Sequence, residues 1–378
     1  MAKKINIFKQ FLIISAFFFG SLPVIADEHI ENHQNHDAAH DTPAAEHKQE
    51  KFNAGKLIIE HITDSHDWHI AGNISIPLPI IVYSKDRGMD IFLSNKFEHG
   101  HKTYSGYMIQ NNHIVAVNEM ESVDIHNATI NTAVTENLWD ISITKNVSAM
   151  LVSIMIMLWM FISVAKSYTK NQGKAPKGMQ SLLEPLIIFV RDDIAKSAIG
   201  EKKYKKYLPF LLTVFFFIWI NNLLGLIPFA PFGANVTGNV AIALTLAAMV
   251  FIITVVSANK NYWRHIIAMP GVPIGVLVLL TPIEIFGMFL KPFVLMIRLF
   301  ANMLAGHIIA LSFFSLIFIF GEMNVGLGFG VSILSIAFTV FMGMLELLVA
   351  FLQAYVFTLL AAMYFGSAVE EHHHEEAH

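Results

Sequence analysis

Five long apolar segments fill the C-terminal part of this 378-residue sequence and leave few folds open to it. The first three contain no charged residue and are about 20 residues long, enough to cross the hydrocarbon core of a membrane once. The last two exceed one simple span, and Pro282 and Pro292 provide kink sites, so we expect a long antiparallel two-helix hairpin. Hydrophobic residues make up 54% and charged residues 14%, which predicts an all-α membrane protein with five membrane helices. The segments are residues 147–165, 208–228, 239–257, 274–320 and 326–366.

The N-terminus has the pattern of an export signal. Lysines at positions 3, 4 and 9 precede an apolar stretch at 11–19, and Val-Ile-Ala at 24–26 resembles a small-residue cleavage site. We therefore predict a signal peptide over residues 1–26. An uncleaved membrane helix is the alternative, although the apolar stretch is short for a span of about 30 Å. In both cases the residues that follow are exported.

Two different regions lie between the signal and the first membrane segment. Residues 27–51 are rich in His, Glu, Asp and Ala, which predicts a disordered tract. Residues 52–138 predict a small exported β-rich domain, within which Pro77 and Pro79 favour an edge or merely extended segment. With no cysteine in the chain, disulfides cannot stabilise this domain. Its β-branched and aromatic runs, separated by Gly, Asn and Asp, are residues 57–59, 74–83, 89–93 and 104–117.

The distribution of charge predicts the orientation in the membrane. Residues 27–138 carry 17 acidic against 7 basic residues, whereas residues 166–206 carry 10 basic against 4 acidic residues. Basic loops stay in the cytoplasm, and the loop at 229–238 has no Lys or Arg. An exported N-terminus followed by five spans then places the His/Glu tail, residues 367–378, in the cytoplasm.

The 18 histidines suggest metal binding only weakly. Eight of them lie between His29 and His69, and residues 372–374 are all histidine. No ligand spacing of a formed site is present, so solvated low-complexity sequence is favoured over a Zn²⁺ or Cu²⁺ site. We predict no metal site and no cofactor.

Polar residues interrupt the predicted hairpin at regular intervals. An unneutralised Arg at the centre of a membrane span costs roughly 2.5–3.5 kcal/mol, and Arg cannot lose its proton. A charge at this depth is therefore a functional hypothesis, with a buried Arg that only ties helices together as the alternative. On an ideal helix, four polar residues of the fourth segment fall within roughly 40° of one another: Glu284, Lys291, Arg298 and Asn302.

Antiparallel packing of the last two segments can be tested from residue numbers, because facing positions have a nearly constant index sum. Arg298 and Gln353 sum to 651, and His307 and Glu346 sum to 653. One register would therefore bring both pairs to matching depths. On an ideal helix His307 lies about 180° from Arg298, so a kink or access from another side is needed.

Several motifs occur in order in and before the predicted hairpin. They are Asn222-Leu-Leu-Gly-Leu-Ile-Pro228, Glu284 followed by Lys291-Pro292, Arg298-Leu-Phe-Ala-Asn302-Met and Leu352-Gln353-Ala354. With these motifs the sequence resembles subunit a, the ion-channel stator subunit of F-type ATP synthases. The resemblance covers about residues 139–366, which we treat as a membrane ion-channel domain.

The resemblance implies a role for each polar position. Arg298 would face a ring of c subunits that each carry a membrane carboxylate, with Asn302 and Gln353 as its polar neighbours. Glu284 would lie toward a cytoplasmic half-channel, and His307 with Glu346 toward an exported-side half-channel. Many bacterial members have Glu and His at these last two positions in the opposite order, so the pair is exchanged here.

The same resemblance implies partners and a location. The chain would be a non-catalytic subunit of the bacterial inner membrane, in contact with lipid, the c ring, the b-subunit peripheral stalk and the rest of the ATP synthase. It would translocate H⁺, with Na⁺ as the alternative, because the carboxylate that selects the ion lies on another chain. No nucleic-acid partner is expected. The resemblance implies no role for the acidic exported region at residues 27–138.

Other interpretations stay open from the sequence alone. For Lys291 we favour the role of a snorkelling residue near the cytoplasmic side. For Asn221 and Asn222 we favour the bridging of helices over ion conduction. A secondary ion or solute transporter should show two repeated halves, and none is visible. A membrane-anchored metal-capturing protein would explain the His tract but leave Arg298 and Gln353 without purpose.

Overall fold

The computed structural model describes residues 62–71, 74–170, 173–227, 232–269 and 272–370, together with residues 55, 58 and 59. The predicted signal peptide and His-rich tract lie outside the described residues, as do residues 371–378 of the predicted tail. Within the described residues, five helices are long and apolar enough to cross a membrane, which confirms the predicted number of spans. These five are α2 (Lys145–Lys170), α4 (Tyr204–Gly225), α5 (Val240–Ser257), α7 (Ile274–Met323) and α8 (Val325–Val369).

An N-terminal module precedes the membrane helices, and its described residues, 62–71 and 74–144, contain seven strands and the short helix α1 (Thr132–Thr135). All pairings are antiparallel: β1 with β2, β5 with β6, and β3 between β4 and β7. In β3, Ile80 and Val82 are fully buried whereas Tyr83 is 44% exposed, as the two-residue period of a strand requires. The strands are β1 (Asp67–Ala71), β2 (Ile74–Pro77), β3 (Pro79–Ser84), β4 (Gly88–Leu93), β5 (Tyr107–Gln110), β6 (His113–Ala116) and β7 (Leu138–Asp140).

Two details of this module differ from the sequence prediction. Pro79 begins β3, which is central in its sheet, so the expected edge position does not hold there. A proline is tolerated as the first residue of a strand because its carbonyl still pairs, here with the N–H of Ile143 at 3.0 Å. Ile58 and Ile59, read as part of an extended run, are helical.

The predicted hairpin is present as α7 and α8, which pack side by side. The 50 residues of α7 would measure about 75 Å if straight, more than twice the hydrocarbon thickness. Both helices must therefore run obliquely or curve through the membrane. The helix α7 continues through Pro282 and Pro292. At the turn, a Cβ on Gly328 would lie 2.8 Å from the Cα of Gly321, so only glycine allows this approach.

The basic segment 166–206 was predicted to be a loop, but it is largely helical. It contains α3 (Met179–Phe189), which continues through a π-helical stretch, Val190–Lys196, into Ser197–Ile199. Leu183, Val190 and Ile194 are fully buried in the main apolar core with side chains of α4 and α8. The many lysines of this segment concealed the apolar face that produces the helix. A last short helix, α6 (Lys260–Ile267), lies between α5 and α7.

Candidate functional site

Gln353 joins the two long helices at the depth of Arg298. Its Nε2 donates to the main-chain oxygen of Arg298 at 2.9 Å, and its Oε1 accepts from Asn302 Nδ2 at 3.1 Å. The amide is 4% exposed, so both bonds are shielded from water and worth more than surface bonds. This pairing is the register that the index sums predicted.

The Arg298 side chain itself lies on an exposed face of α7. Among the described residues, no hydrogen bond or ion pair is formed by its guanidinium. The neighbouring part of α7 is apolar and open: Phe293, Val294 and Ile297 are all about half exposed. The Gln353 and Asn302 amides thus fix the backbone beneath Arg298 while its charge points away from the helix bundle.

Lys291 and Glu284 continue the polar stripe along α7 but do not meet Arg298. Glu284 lies 14 residues away, about 21 Å along a straight helix. Lys291 Nζ lies 5.7 Å from the centre of the Tyr364 ring on α8, a cation–π contact. Tyr262 on α6 has its pKa raised by burial and, second, by the negative charge of Glu284. The predicted stripe is therefore a line along the helix rather than one cluster.

His307 and Glu346 face each other across the hairpin. His307 Nδ1 lies 4.0 Å from Glu346 Oε1, too far for a direct hydrogen bond, and neither atom bonds another described residue. His307 is 8% exposed, and its Nε2 points toward α4, 3.9 Å from the position of a Cβ built on Gly225. A Cβ on Gly306 would lie 2.9 Å from Glu346 Oε1, so glycine makes room for the carboxylate.

His307 and Arg298 point in opposite directions from the axis of α7, as the offset of about 180° on an ideal helix predicted. Arg298 faces outward from the bundle and His307 faces inward toward α4. The two side chains therefore lie on opposite sides of α7.

Asn222 connects α4 to the hairpin and to the residues that precede α5. Its Nδ2 donates to the main-chain oxygen of Ala350 at 3.3 Å, and its Oδ1 accepts from Thr237 Oγ1 at 2.5 Å. Asn221 donates within its own helix to Phe217 and leaves a buried Oδ1 without a partner among the described residues. Thr237 was missed by the sequence reading, since only three-dimensional contact shows its role.

Within the described ranges, no group of three or more His, Asp or Glu side chains could hold a metal ion. The predicted low-complexity His tract, residues 27–51, and the three tail histidines lie outside those ranges. The polar groups along the described hairpin include amides, the Arg298 guanidinium, the Lys291 ammonium, the His307 imidazole and the carboxylates of Glu284 and Glu346.

Comparison with known proteins identifies the family. Residues 147–366 match the family described as ATP synthase A chain, and residues 57–141 match a domain of unknown function, DUF8433. "ATP synthase subunit a" of Chloroherpeton thalassium is 43% identical over 64% of this chain and 71% of its own length. "ATP synthase subunit a 2" of Prosthecochloris aestuarii is 44% identical over 64% of this chain and 73% of its own length. The protein of the same name from Chlorobaculum tepidum is 46% identical over 64% of this chain and 66% of its own length. The chain therefore belongs to the ATP synthase A chain family, the non-catalytic, proton-translocating subunits of the membrane sector of the rotary ATP synthase.

Proposed function

We propose that Arg298 is the stator charge of the proton path and faces the carboxylates of a rotating c ring. The observation that carries this proposal is a guanidinium on an open apolar face, above a backbone fixed by Gln353 and Asn302. A charge at such a position is costly unless an opposite charge on a neighbouring subunit offsets it. A fixed cation favours the ionised carboxylate, so each ring carboxylate releases its proton as it passes.

Two offset half-channels supply and remove the proton. His307 and Glu346 form the exported-side path, and Asn221 and Asn222 are supporting polar residues that bridge helices. Glu284 opens the cytoplasmic path, with Lys291 as a supporting residue at its border. His307 lies nine residues from Arg298, about 13 Å along the helix, in the direction opposite to Glu284. The two paths therefore reach the ring at different depths.

The positive charge between the half-channels blocks direct leakage, so a proton must travel with the ring for nearly a full turn. Each unit charge that crosses 100 mV releases about 2.3 kcal/mol, and several protons per turn can drive the soluble motor. Because each proton crosses the membrane only as the ring rotates, the free energy of the proton gradient reaches the soluble motor of the ATP synthase as torque.

The orientation completes the proposal. Residues 1–26 act as the signal peptide, residues 27–51 form an exported His-rich tract, and the β-rich domain (52–138) lies in the periplasm. The basic segment 166–206 and the tail (367–378) lie in the cytoplasm of a bacterial cell, and the membrane domain (139–366) contacts the c ring and the b-subunit stalk in the inner membrane. The charge bias of the loops supports this orientation.

The test is Arg298→Ala in inverted membrane vesicles, measured as ATP-driven acidification alongside ATP hydrolysis and assembly. We expect acidification to be abolished and assembly to persist. Arg298→Lys should restore only part of the pumping, because lysine can lose its proton in the membrane. The matched control is Arg264→Ala, an exposed arginine on α6, which should pump normally. Wild-type acidification in Arg298→Ala vesicles would overturn the proposed role.

A further inference from the structure

An open cavity of about 480 Å³ lies where the start of α4, the junction of α5 with α6 and the end of α8 come together. A volume of this order is typical of sites that hold a small ligand or a few side chains. Ser257, Asn259 and Val369 contribute to its lining. The other lining residues belong to the start of α4 and are mostly cationic: Lys202, Lys203, Lys205, Lys206 and Tyr207. A cavity lined by four lysines predicts an anionic occupant.

Two of these lysines differ from the basic residues that precede them in the chain. Arg191 and Lys196 share the Asp192 carboxylate, at 2.6 and 2.9 Å. Lys202 and Lys205 are exposed, and within the part of the chain that the structure describes neither forms an ion pair. The charges of Lys202 and Lys205 are therefore left without a described counter-ion beside the cavity.

The start of a helix is an unfavourable place for so much positive charge. The N-terminus of α4 carries a partial positive charge of its own, which favours anions and disfavours cations. Lys205 and Lys206 lie in the first turn of α4, and Glu201 is the only acidic residue among residues 201–206. An anion in the cavity would offset both the ammonium groups and the partial charge of the helix end.

The end of α8 is fixed at the edge of this cavity by hydrogen bonds. The main-chain oxygen of Val369, the last residue of α8, accepts from Lys203 Nζ at 2.7 Å and from Asn259 Nδ2 at 2.9 Å. Asn259 N donates to the oxygen of Ala368 at 2.8 Å. The next residue, Glu370, is exposed and is no longer helical. The chain therefore leaves its last described helix at the cavity.

The residues that follow Val369 carry the charge that the cavity lacks. Four carboxylates occur within residues 370–376, and residues 370–378 contain no Lys or Arg. Residues 371–378 lie outside the described residues, but their point of attachment is described. An extended chain advances about 3.3 Å per residue, so residues 371–376 can reach up to about 20 Å from Glu370. The four carboxylates are those of Glu370, Glu371, Glu375 and Glu376.

We propose that the acidic segment, residues 370–376, docks in the lysine-lined cavity and joins the end of α8 to the start of α4. Its carboxylates pair with the ammonium groups of Lys202, Lys205 and Lys206. Each exposed pair contributes little by itself, on the order of 0–1 kcal/mol. Attachment at the edge of the cavity raises the effective concentration of the segment to the order of millimolar, which favours it over a free anion or a lipid headgroup.

This contact lies far from the residues of the proposed proton path. Gln353, which bonds Arg298, precedes Val369 by 16 residues, or about 24 Å along the helix. The inference therefore goes beyond the proposed function and does not depend on it. A negative result at the cavity would leave the Arg298→Ala test unaffected.

The chain has no cysteine, so a disulfide between two introduced cysteines reports where the segment lies. The pair is Lys205→Cys with Glu375→Cys, in the assembled ATP synthase in native membranes under mild oxidation. Cysteines left unreacted in this subunit are then counted by maleimide mass-tagging after denaturation. The control pair is Lys170→Cys with Glu375→Cys, because Lys170 is exposed at the end of α2 and does not line the cavity. We expect the disulfide to form about tenfold faster than in the control pair.

Charge and proximity are separated by further changes to the same cysteine pair. Glu371→Gln with Glu376→Gln should slow the disulfide to the control rate, because two of the remaining carboxylates are removed. His372→Gln with His374→Gln is the matched change in the same segment, measured above the usual histidine pKa so that no charge is altered. It should leave the rate unchanged. A disulfide no faster than in the control pair, or one that is indifferent to loss of the glutamates, would overturn the inference.

A charge reversal tests the lysines directly. Lys202→Glu with Lys206→Glu should slow the disulfide, and adding Glu371→Lys with Glu376→Lys should restore it. If the lysine variants fail to assemble, the glutamine variants decide the question, because they change no residue of a membrane helix. The purified enzyme is also reconstituted in vesicles of phosphatidylcholine with or without phosphatidylglycerol, and we expect equal rates in both. A fast disulfide only where phosphatidylglycerol is absent would assign the cavity to anionic lipid headgroups and overturn the inference.

Discussion

The exchanged pair His307 and Glu346 allows the proton path to be tested by a double-mutant cycle. At the observed 4.0 Å, two unit charges interact by about 4 kcal/mol at an effective dielectric constant of 20. His307→Glu places two carboxylates at this distance, and Glu346→His places two imidazoles there. Each single variant therefore removes the attraction that an imidazolium and a carboxylate can form, and we expect proton pumping to fall strongly in both.

The double variant, His307→Glu with Glu346→His, restores one acid and one base in reversed order. Full recovery is not expected, because a carboxylate at position 307 would point toward Gly225 where His307 Nε2 now lies. Coupling between residues in contact is typically about 0.5–3 kcal/mol, and 1–3 kcal/mol corresponds to a recovery of roughly 5- to 150-fold relative to additive losses.

The assay is ATP-driven acidification of inverted vesicles, normalised to the amount of assembled enzyme. His307→Glu combined with Arg264→Ala serves as the control cycle, since Arg264 belongs to α6 and lies far from His307 in the sequence. That cycle should be additive. Strictly additive losses in the exchanged pair as well, with all variants assembled equally, would refute the idea that the two residues act together.

Two further predictions concern the module and the orientation. A cysteine at Ser105 should react with an impermeant maleimide in intact cells, whereas cysteines at Ser181 or Ser367 should not, and outside labelling of Ser181 would contradict the five-span orientation. Burial alone would raise the pKa of Asp140, but hydrogen bonds from His66 and Ser142 lower it below its usual value. This carboxylate therefore stabilises the module above its unfolded pKa, and the contribution is lost as pH falls through the lower folded pKa. Protease sensitivity of the module in spheroplasts should rise over that acidic range, and Asp140→Asn should weaken the dependence.

The stripe on α7 shows how far helical periodicity can be trusted. Periodicity placed Glu284, Lys291 and Arg298 on one side of a helix, and the structure keeps them in one continuous helix. It could not say that Lys291 would stack on Tyr364, because that contact depends on how α8 crosses α7. It also could not reveal α3 and the π-helical stretch that follows it, whose apolar face becomes evident only when Leu183 and Ile194 are seen buried in the common core.

What the sequence determined by itself is the membrane class, the five spans, the antiparallel hairpin and its register. Each follows from a one-dimensional pattern: uncharged length sets the spans, and a constant index sum sets the pairing of Arg298 with Gln353. Only the tertiary structure decided that Arg298 faces outward while His307 faces α4, and that the module lies against Ala234 and Val236. Those facts arise from packing between segments far apart in the chain, where shape and buried area determine the contacts and no local spacing records them.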